Sequence, residues 1–99
     1  MRASPAEVRL QAGYELYRVQ QGRKPVDWRP MTSVGSGVAE IRVHGELEHR
    51  VLYVARHEEA VYVLHVFEKK GRKTPSWDLQ IGRTRYRELI QSRNRYRKG

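Results

Sequence analysis

The chain has 99 residues, enough for one domain, and its lack of cysteine excludes disulfides, thiolate metal sites and a cysteine nucleophile. The formal net charge is +9, and residues 67–99 hold eleven Lys/Arg against three Asp/Glu, so nearly all the excess lies in the last third. Concentrated positive charge attracts polyanions such as RNA, DNA or an acidic membrane, although a merely solubilising tail would have the same composition. With neither a signal-peptide pattern nor a membrane-spanning apolar run, we expect one cytoplasmic domain over residues 1–99.

The first predicted element is a helix. Ser4-Pro5 has the pattern of an N-cap followed by proline at the first helical position, and Gly22 is suited to end the helix. One apolar stripe, expected to face a sheet, consists of Val8, Ala12, Leu16 and Val19. A second stripe on the opposite side consists of Leu10, Tyr14 and Tyr17. The second stripe predicts contact with a partner or with another segment of chain.

Three strands follow a loop. Glycine and proline punctuate residues 22–37, which predicts a loop with Trp28 and Met31 packed on the core. The β-forming runs at 38–44, 49–55 and 60–67 are separated by turn signals at Gly45-Glu46 and at 57–59, which predicts an antiparallel meander. Because the third run is nearly all apolar, we expect it to be a central strand buried on both faces.

The last element is a helix that follows a basic loop at 69–73. Thr74-Pro75 again has the pattern of an N-cap and a first-turn proline, and Gly82 is suited to close packing. Its apolar side consists of Leu79, Tyr86, Leu89 and Ile90, and residues 94–99 are expected to be a frayed basic tail. The predicted fold class is α+β: an antiparallel meander packed against an N-terminal helix, with a C-terminal helix.

Two arginines lie within the predicted strands, where a charged side chain needs a partner or a ligand. Arg42 is mid-strand and Arg50 lies in the next strand, while Lys69 and Lys70 directly follow the third. These groups could together bind phosphate and stabilise a phosphorane-like transition state. Alternatively, the arginines pair with Glu40, Glu46 or Glu48 on neighbouring strands. Spacing leaves both interpretations open.

No metal or cofactor pattern is present. The four histidines follow no zinc-binding spacing, and the sequence has no phosphate-binding glycine loop or dinucleotide fingerprint. Cleavage of nucleic acid would therefore proceed without a metal, which RNA permits because its 2′-OH is an internal nucleophile. The candidate proton-transfer groups are Tyr53, His65 and Tyr86, although His65, within a strand, would equally suit a hydrogen-bonded core histidine.

A family resemblance covers nearly the whole chain. Its motifs are Glu40-Ile41-Arg42, Arg50-Val51-Leu52-Tyr53, Val63-Leu64-His65-Val66-Phe67, Lys69-Lys70 and Lys73-Thr74-Pro75. In this order they resemble the phage-derived, HigB-like branch of the RelE/ParE toxin superfamily. The resemblance implies a compact α+β toxin domain of a type II toxin–antitoxin system. It further implies endonucleolytic cleavage of mRNA in the ribosomal A site, and a small antitoxin partner through which the pair binds operator DNA.

The resemblance also implies roles for individual residues. Arg50 and Lys69 would contact the scissile phosphate, while Arg42 and Lys70 would position the RNA. His65 and Tyr86 remain catalytic candidates, since no residue matches a general base of the family, and further RNA contacts are assigned to Lys73, Arg72 and Arg83. No metal or cofactor is expected. Because family members begin with a strand and a short helical segment before the first helix of this chain, we expect that first family strand to be missing.

The sequence leaves two other functions open. The first is a ParE-like inhibitor that binds DNA gyrase, since fold alone does not distinguish the superfamily's activities. The second is a non-catalytic RNA- or ribosome-binding remnant of a phage toxin, which predicts salt-sensitive binding to ribosomes without new RNA ends.

Overall fold

The computed structural model describes residues 5–45, 47–55 and 60–98. The predicted N-cap at Ser4 and the turn residues Glu46 and 57–59 lie outside the described residues. The elements in chain order are α1 (Pro5–Gln20), β1 (Trp28–Pro30), β2 (Val38–Val43), β3 (Glu48–Val54), β4 (Tyr62–Lys69) and α2 (Ser76–Lys98). They form the predicted α+β fold. The expected absence of a first family strand concerns the chain before Pro5, which lies outside the described residues.

The four strands form one antiparallel sheet in the order β1-β2-β3-β4. The sequence predicted a loop over all of residues 22–37, and the presence of β1 within this range corrects that prediction. β1 has only three residues, pairs Trp28 with Ile41 of β2 and ends at Pro30, so it lacks the length and alternation that identify a strand. A proline at this position is tolerated because it occurs at the end of a short strand at the sheet edge.

β2 and β3 are the central strands, and the prediction of a central β4 is wrong. β4 pairs with β3 alone among the described strands, and Val63 and Val66 are 47% and 54% exposed. In β3, by contrast, all residues from Val51 to Val54 are buried. An apolar run can therefore belong to an edge strand when the two faces of the sheet are covered to different extents.

The two helices cover opposite faces of the sheet, because successive strand residues point to alternate sides. On one face, α1 packs its predicted stripe against Ala39, Ile41, Val43, Val51 and Tyr53. On the other face, α2 packs Leu79, Tyr86 and Leu89 against Val38, Leu52, Val54 and Leu64. Met31 is buried in this second core and Trp28 is partly buried in the first, as predicted. The second stripe of α1 (Leu10, Tyr14 and Tyr17) is exposed.

The predicted caps can be compared with the C-terminal end of α1 and the start of α2. Gly22 has φ 80°, and the amides of Gly22 and Arg23 donate to the carbonyls of Val19 and Arg18, which is the hydrogen-bond pattern of a Schellman C-cap. The predicted cap at Thr74 is wrong by one residue. α2 begins at Ser76, its first turn being closed by the bond from the Leu79 amide to the Pro75 carbonyl.

α2 approaches the sheet most closely at its glycine, as the sequence predicts. A Cβ atom at Gly82 would lie 2.9 Å from Leu52 Cδ1 and 3.2 Å from Val34 Cγ1. α2 also continues through residues 94–98, which the sequence analysis expected to be frayed. None of the helices in the described part of the chain is long and apolar enough to cross a membrane.

Candidate functional site

Charged side chains from all four strands lie on the face of the sheet that α2 partly covers. Direct cross-strand partners point to the same face, and the register pairs Arg29 with Glu40, Arg42 with Arg50, and Glu48 with Lys69. Three predicted catalytic positions, Arg42, Arg50 and Lys69, thus lie in one patch on one face, whereas the amine of Lys70 lies near Glu68, whose cross-strand partner His49 is on the opposite face. Arg29, which the sequence analysis did not single out, joins them from β1.

At the centre of this patch is the carboxylate of Glu40, whose side chain is fully buried. Its Oε1 atom accepts a hydrogen bond from Arg29 Nε at 3.2 Å and lies 3.7 Å from Nε of both Arg42 and Arg50. Glu40 Oε2 has no hydrogen-bond partner among the described residues. We call Glu40, Arg29, Arg42 and Arg50 the arginine cluster. A buried carboxylate is tolerated here because three guanidinium groups surround it.

A second series of ion pairs links the outer ends of Arg42 and Arg50. Arg50 Nη1 lies 3.4 Å from Glu48 Oε1, and Arg42 Nη1 lies 3.8 Å from Asp27 Oδ1. His44 bridges the two carboxylates, with Nδ1 2.7 Å from Glu48 Oε1 and Nε2 2.6 Å from Asp27 Oδ2. The contacts therefore close a ring through Glu40. Of the two interpretations left open by spacing, the ion pairs to Glu40 and Glu48 are present.

His44 can donate to both carboxylates only when both of its ring nitrogens are protonated, because an ionised carboxylate only accepts hydrogen bonds. Its pKa is raised above the usual value, chiefly by the hydrogen bond to Asp27, with Glu48 adding to the effect and burial opposing it. Burial tends to raise the pKa of Glu48, but the bonds from His44 and Arg50 outweigh that effect and lower it.

Burial within the ring restricts what each arginine can touch. The side chain of Arg50 is only 8% exposed, whereas Arg42 and Arg29 are 32% and 43% exposed. Arg50 is thus held beneath the surface by Glu40, Glu48 and the carbonyl of His49, to which its Nη1 donates at 2.9 Å. A ligand on this face meets the more exposed Arg29 and Arg42.

The lysines differ from one another in their surroundings. Loss of solvent and the nearby positive charge of Arg50 lower the pKa of Lys69, while Glu40 opposes that effect. No carboxylate of the described residues forms an ion pair with Lys69. Lys70 is 85% exposed and lies 3.9 Å from Glu68. Arg72 and Lys73 are exposed in the following loop. The surroundings of Lys69 therefore favour the neutral form of its amine more than free solution does.

His65 is hydrogen-bonded on both sides. Its Nε2 lies 2.7 Å from Asp78 Oδ1 in the first turn of α2, and its Nδ1 lies 3.4 Å from Arg85 Nη1. The ring also stacks on Phe67 at 5.2 Å between centroids. The histidine thus joins β4 to α2, which is the core role that the sequence analysis weighed against catalysis. Each ring nitrogen therefore has a partner within the fold.

The structure does not bring the predicted tyrosines to the arginine cluster. Tyr86 donates to the carbonyl of Ser36 at 2.9 Å, beside the Val38 end of β2, and Arg42 lies four residues along that strand, which is about 13 Å. Arg83, a predicted RNA contact, donates to the Ser33 carbonyl at 2.9 Å in the same region. Tyr53 is buried on the α1 face, where burial and then Glu15 raise its pKa. These side chains hold the fold together.

The described residues contain no group of three or more histidine or acidic side chains arranged to hold a metal ion. They do contain charged partners that the sequence analysis did not single out: Arg29, Asp27 and Asp78. Arg29 and Asp27 lie in or beside the unrecognised β1. Asp78 could have been identified from its place in the first turn of a helix, where a carboxylate is favoured and can also bond a neighbouring strand.

Residues 1–87 match the family model described as "Phage derived protein Gp49-like (DUF891)". No curated protein and no solved structure gives a significant match to the chain. The family match includes the whole sheet, the ring of charged residues and the first half of α2. The chain therefore belongs to the Gp49-like family of phage-derived proteins, a RelE/ParE-like toxin family.

Proposed function

We propose that the chain is the HigB-like toxin of a type II toxin–antitoxin pair and that it cleaves ribosome-bound mRNA without a metal ion. The observation that carries the proposal is the position of Lys69. Its amine, with a lowered pKa, lies near the arginine cluster, and exposed cations at Lys70, Arg72 and Lys73 follow it along the chain. An amine that loses its proton readily, next to fixed positive charge, suits the cleavage of a phosphodiester by its own 2′-OH.

In the proposed reaction the neutral amine of Lys69 takes the proton from the ribose 2′-OH. The 2′ oxygen forms a bond to the adjacent phosphorus, and the bond to the 5′ oxygen breaks. The products are a 2′,3′-cyclic phosphate and a 5′-OH end, which takes its proton from solvent. The partly exposed guanidiniums of Arg42 and Arg29 stabilise the phosphorane charge, and Arg50 supports them from beneath.

A toxin of this kind needs a partner that restrains it. The exposed stripe of α1 (Leu10, Tyr14 and Tyr17) supports binding of an antitoxin, because a row of large apolar side chains on a soluble domain is typical of an interaction surface. We place the protein in the cytoplasm, with the ribosome and mRNA as its targets and operator DNA contacted only through the antitoxin.

The test is primer extension on a defined mRNA in a reconstituted translation reaction, with and without ribosomes. Wild-type protein should produce new 5′ ends in frame with A-site codons. Lys69→Ala should abolish them, while Arg9→Ala, which removes one exposed cation from α1 on the other side of the sheet, should not. Absence of cuts by folded wild-type protein would contradict the proposal and leave gyrase inhibition or binding without cleavage.

A further inference from the structure

We propose that Glu40 is the positioning residue of this site: its buried carboxylate gathers Arg29, Arg42 and Arg50 on one face of the sheet. The inference rests on the proposed function, because it assigns Glu40 a part in that site. It starts from the three distances to Glu40 Oε1, which are 3.2 Å from Arg29 Nε and 3.7 Å from Nε of each of the other two arginines. Each arginine comes from a different strand.

Glu40 alone among the described carboxylates lies within 4.0 Å of all three guanidinium groups. Asp27 contacts Arg42, and Glu48 contacts Arg50, but neither forms an ion pair with Arg29. Three like charges converging on one point repel one another, most strongly where water is excluded. The fully buried Glu40 side chain is therefore the counter-charge that allows the three to converge.

The geometry also shows that Glu40 is not a substrate contact. Its side chain has no exposed surface, and the guanidiniums lie around it. Glu40 Oε2 and the Nε atoms of Arg42 and Arg50 have no hydrogen-bond partner within the described part of the chain. Attraction between opposite charges therefore holds the arginine cluster together more than hydrogen bonds do. Charge-held groups move when the charge is removed, so an isosteric neutral replacement should change the electrostatic environment of the whole patch.

The pKa of Lys69 depends on that electrostatic environment through two opposing contributions. The negative charge of Glu40 raises the Lys69 pKa, and the positive charge of Arg29 lowers it. In Glu40→Gln the Lys69 pKa should therefore fall, and in Arg29→Gln it should rise. Each change alters the pKa through its own charge. If Glu40 also holds Arg29 in place, Arg29→Gln should raise the Lys69 pKa less in a Glu40→Gln background than in wild type, whereas a Glu40 that holds nothing in place would give the same rise in both.

The experiment measures the Lys69 pKa by NMR of protein labelled at the lysine side chains, with the signal assigned by Lys69→Arg. Glu88→Gln, which removes the same charge from an exposed position on α2, is the matched control and should leave the pKa unchanged. In the ribosome assay, Glu40→Gln should also slow cleavage on the order of 10²-fold through misplaced guanidiniums.

The pKa and cleavage measurements are independent of each other. An Arg29→Gln shift of the Lys69 pKa that is smaller in the Glu40→Gln background than in wild type supports the proposal, even if wild-type protein shows no cleavage and the proposed function fails. Equal shifts in the two folded backgrounds overturn it. If Glu40→Gln does not fold, the same comparison is made in Glu40→Asp, whose shorter side chain draws the carboxylate away from the guanidiniums: a smaller Arg29→Gln shift supports the proposal and an equal one overturns it.

Discussion

Protonated His44 should make the stability of this protein depend on pH. In the folded state its two ring nitrogens contact Asp27 and Glu48, so His44→Gln removes two charge-assisted contacts. Because the His44 side chain is 57% exposed, each contact is a solvent-screened pair worth roughly 0.2–1 kcal/mol. The variant should therefore lose about 0.5–2 kcal/mol at pH 6. For a domain of this size each kcal/mol corresponds to roughly 4–8 °C in thermal midpoint.

The sign follows from the raised pKa. Folding takes up a proton at His44 when the folded pKa exceeds the unfolded one, so the contribution is fully present below about 6.5 and is lost as pH rises through the folded pKa. Thermal midpoints of wild type and His44→Gln should differ most near pH 6 and converge at alkaline pH. His49→Gln is the control, since among the described residues the His49 side chain is hydrogen-bonded to the Leu47 carbonyl and to no carboxylate. A difference that is constant with pH, or that grows as pH rises, would refute the reasoning.

The packing contacts lead to further predictions. Gly82→Ala should destabilise the fold by about 1–3 kcal/mol, because its Cβ would lie 2.9 Å from Leu52 Cδ1 within the core. Gly13→Ala should stabilise it by up to about 1 kcal/mol, since no atom lies within 4 Å of the new Cβ in α1. Chemical denaturation would separate the two, and a similar midpoint shift in both would contradict the geometry. Tyr86→Phe should cost about 0.5–1.5 kcal/mol through the lost bond to Ser36 and leave RNA cleavage intact; loss of cleavage in folded protein would restore Tyr86 as a catalytic candidate.

Local signals identified most of the fold. Proline at the start of α1 and glycine after its end delimit the helix, and the position of Gly82 predicts the close approach of α2 to the sheet. β1 was missed because its pairing with β2 is a tertiary contact without alternation of its own. β4 was misplaced because apolar composition does not say which face of a strand is covered, and Val63 and Val66 are exposed.

The candidate site was only partly predictable. Alternation correctly places Arg42 and Glu40 on one face, and register then adds Arg50. The sequence could not decide whether the arginines bind a ligand or form ion pairs within the fold. That depends on the 3.7 Å separations between Glu40 Oε1 and the Nε atoms of Arg42 and Arg50. His65 was recognised as a possible core histidine, but its partner Asp78 is thirteen residues away and contacts it only after α2 docks on β4.

The role of Lys69 as the base is the central claim, and the cleavage rate as a function of pH tests it most directly. Single-turnover cleavage of ribosome-bound mRNA should accelerate with pH and level off at the Lys69 pKa, which lies below the usual lysine value. Lys69→Ala should remove both the pH dependence and a rate factor on the order of 10²–10⁴. A wild-type rate that does not change with pH, or a Lys69→Ala rate close to that of wild type, would contradict the account.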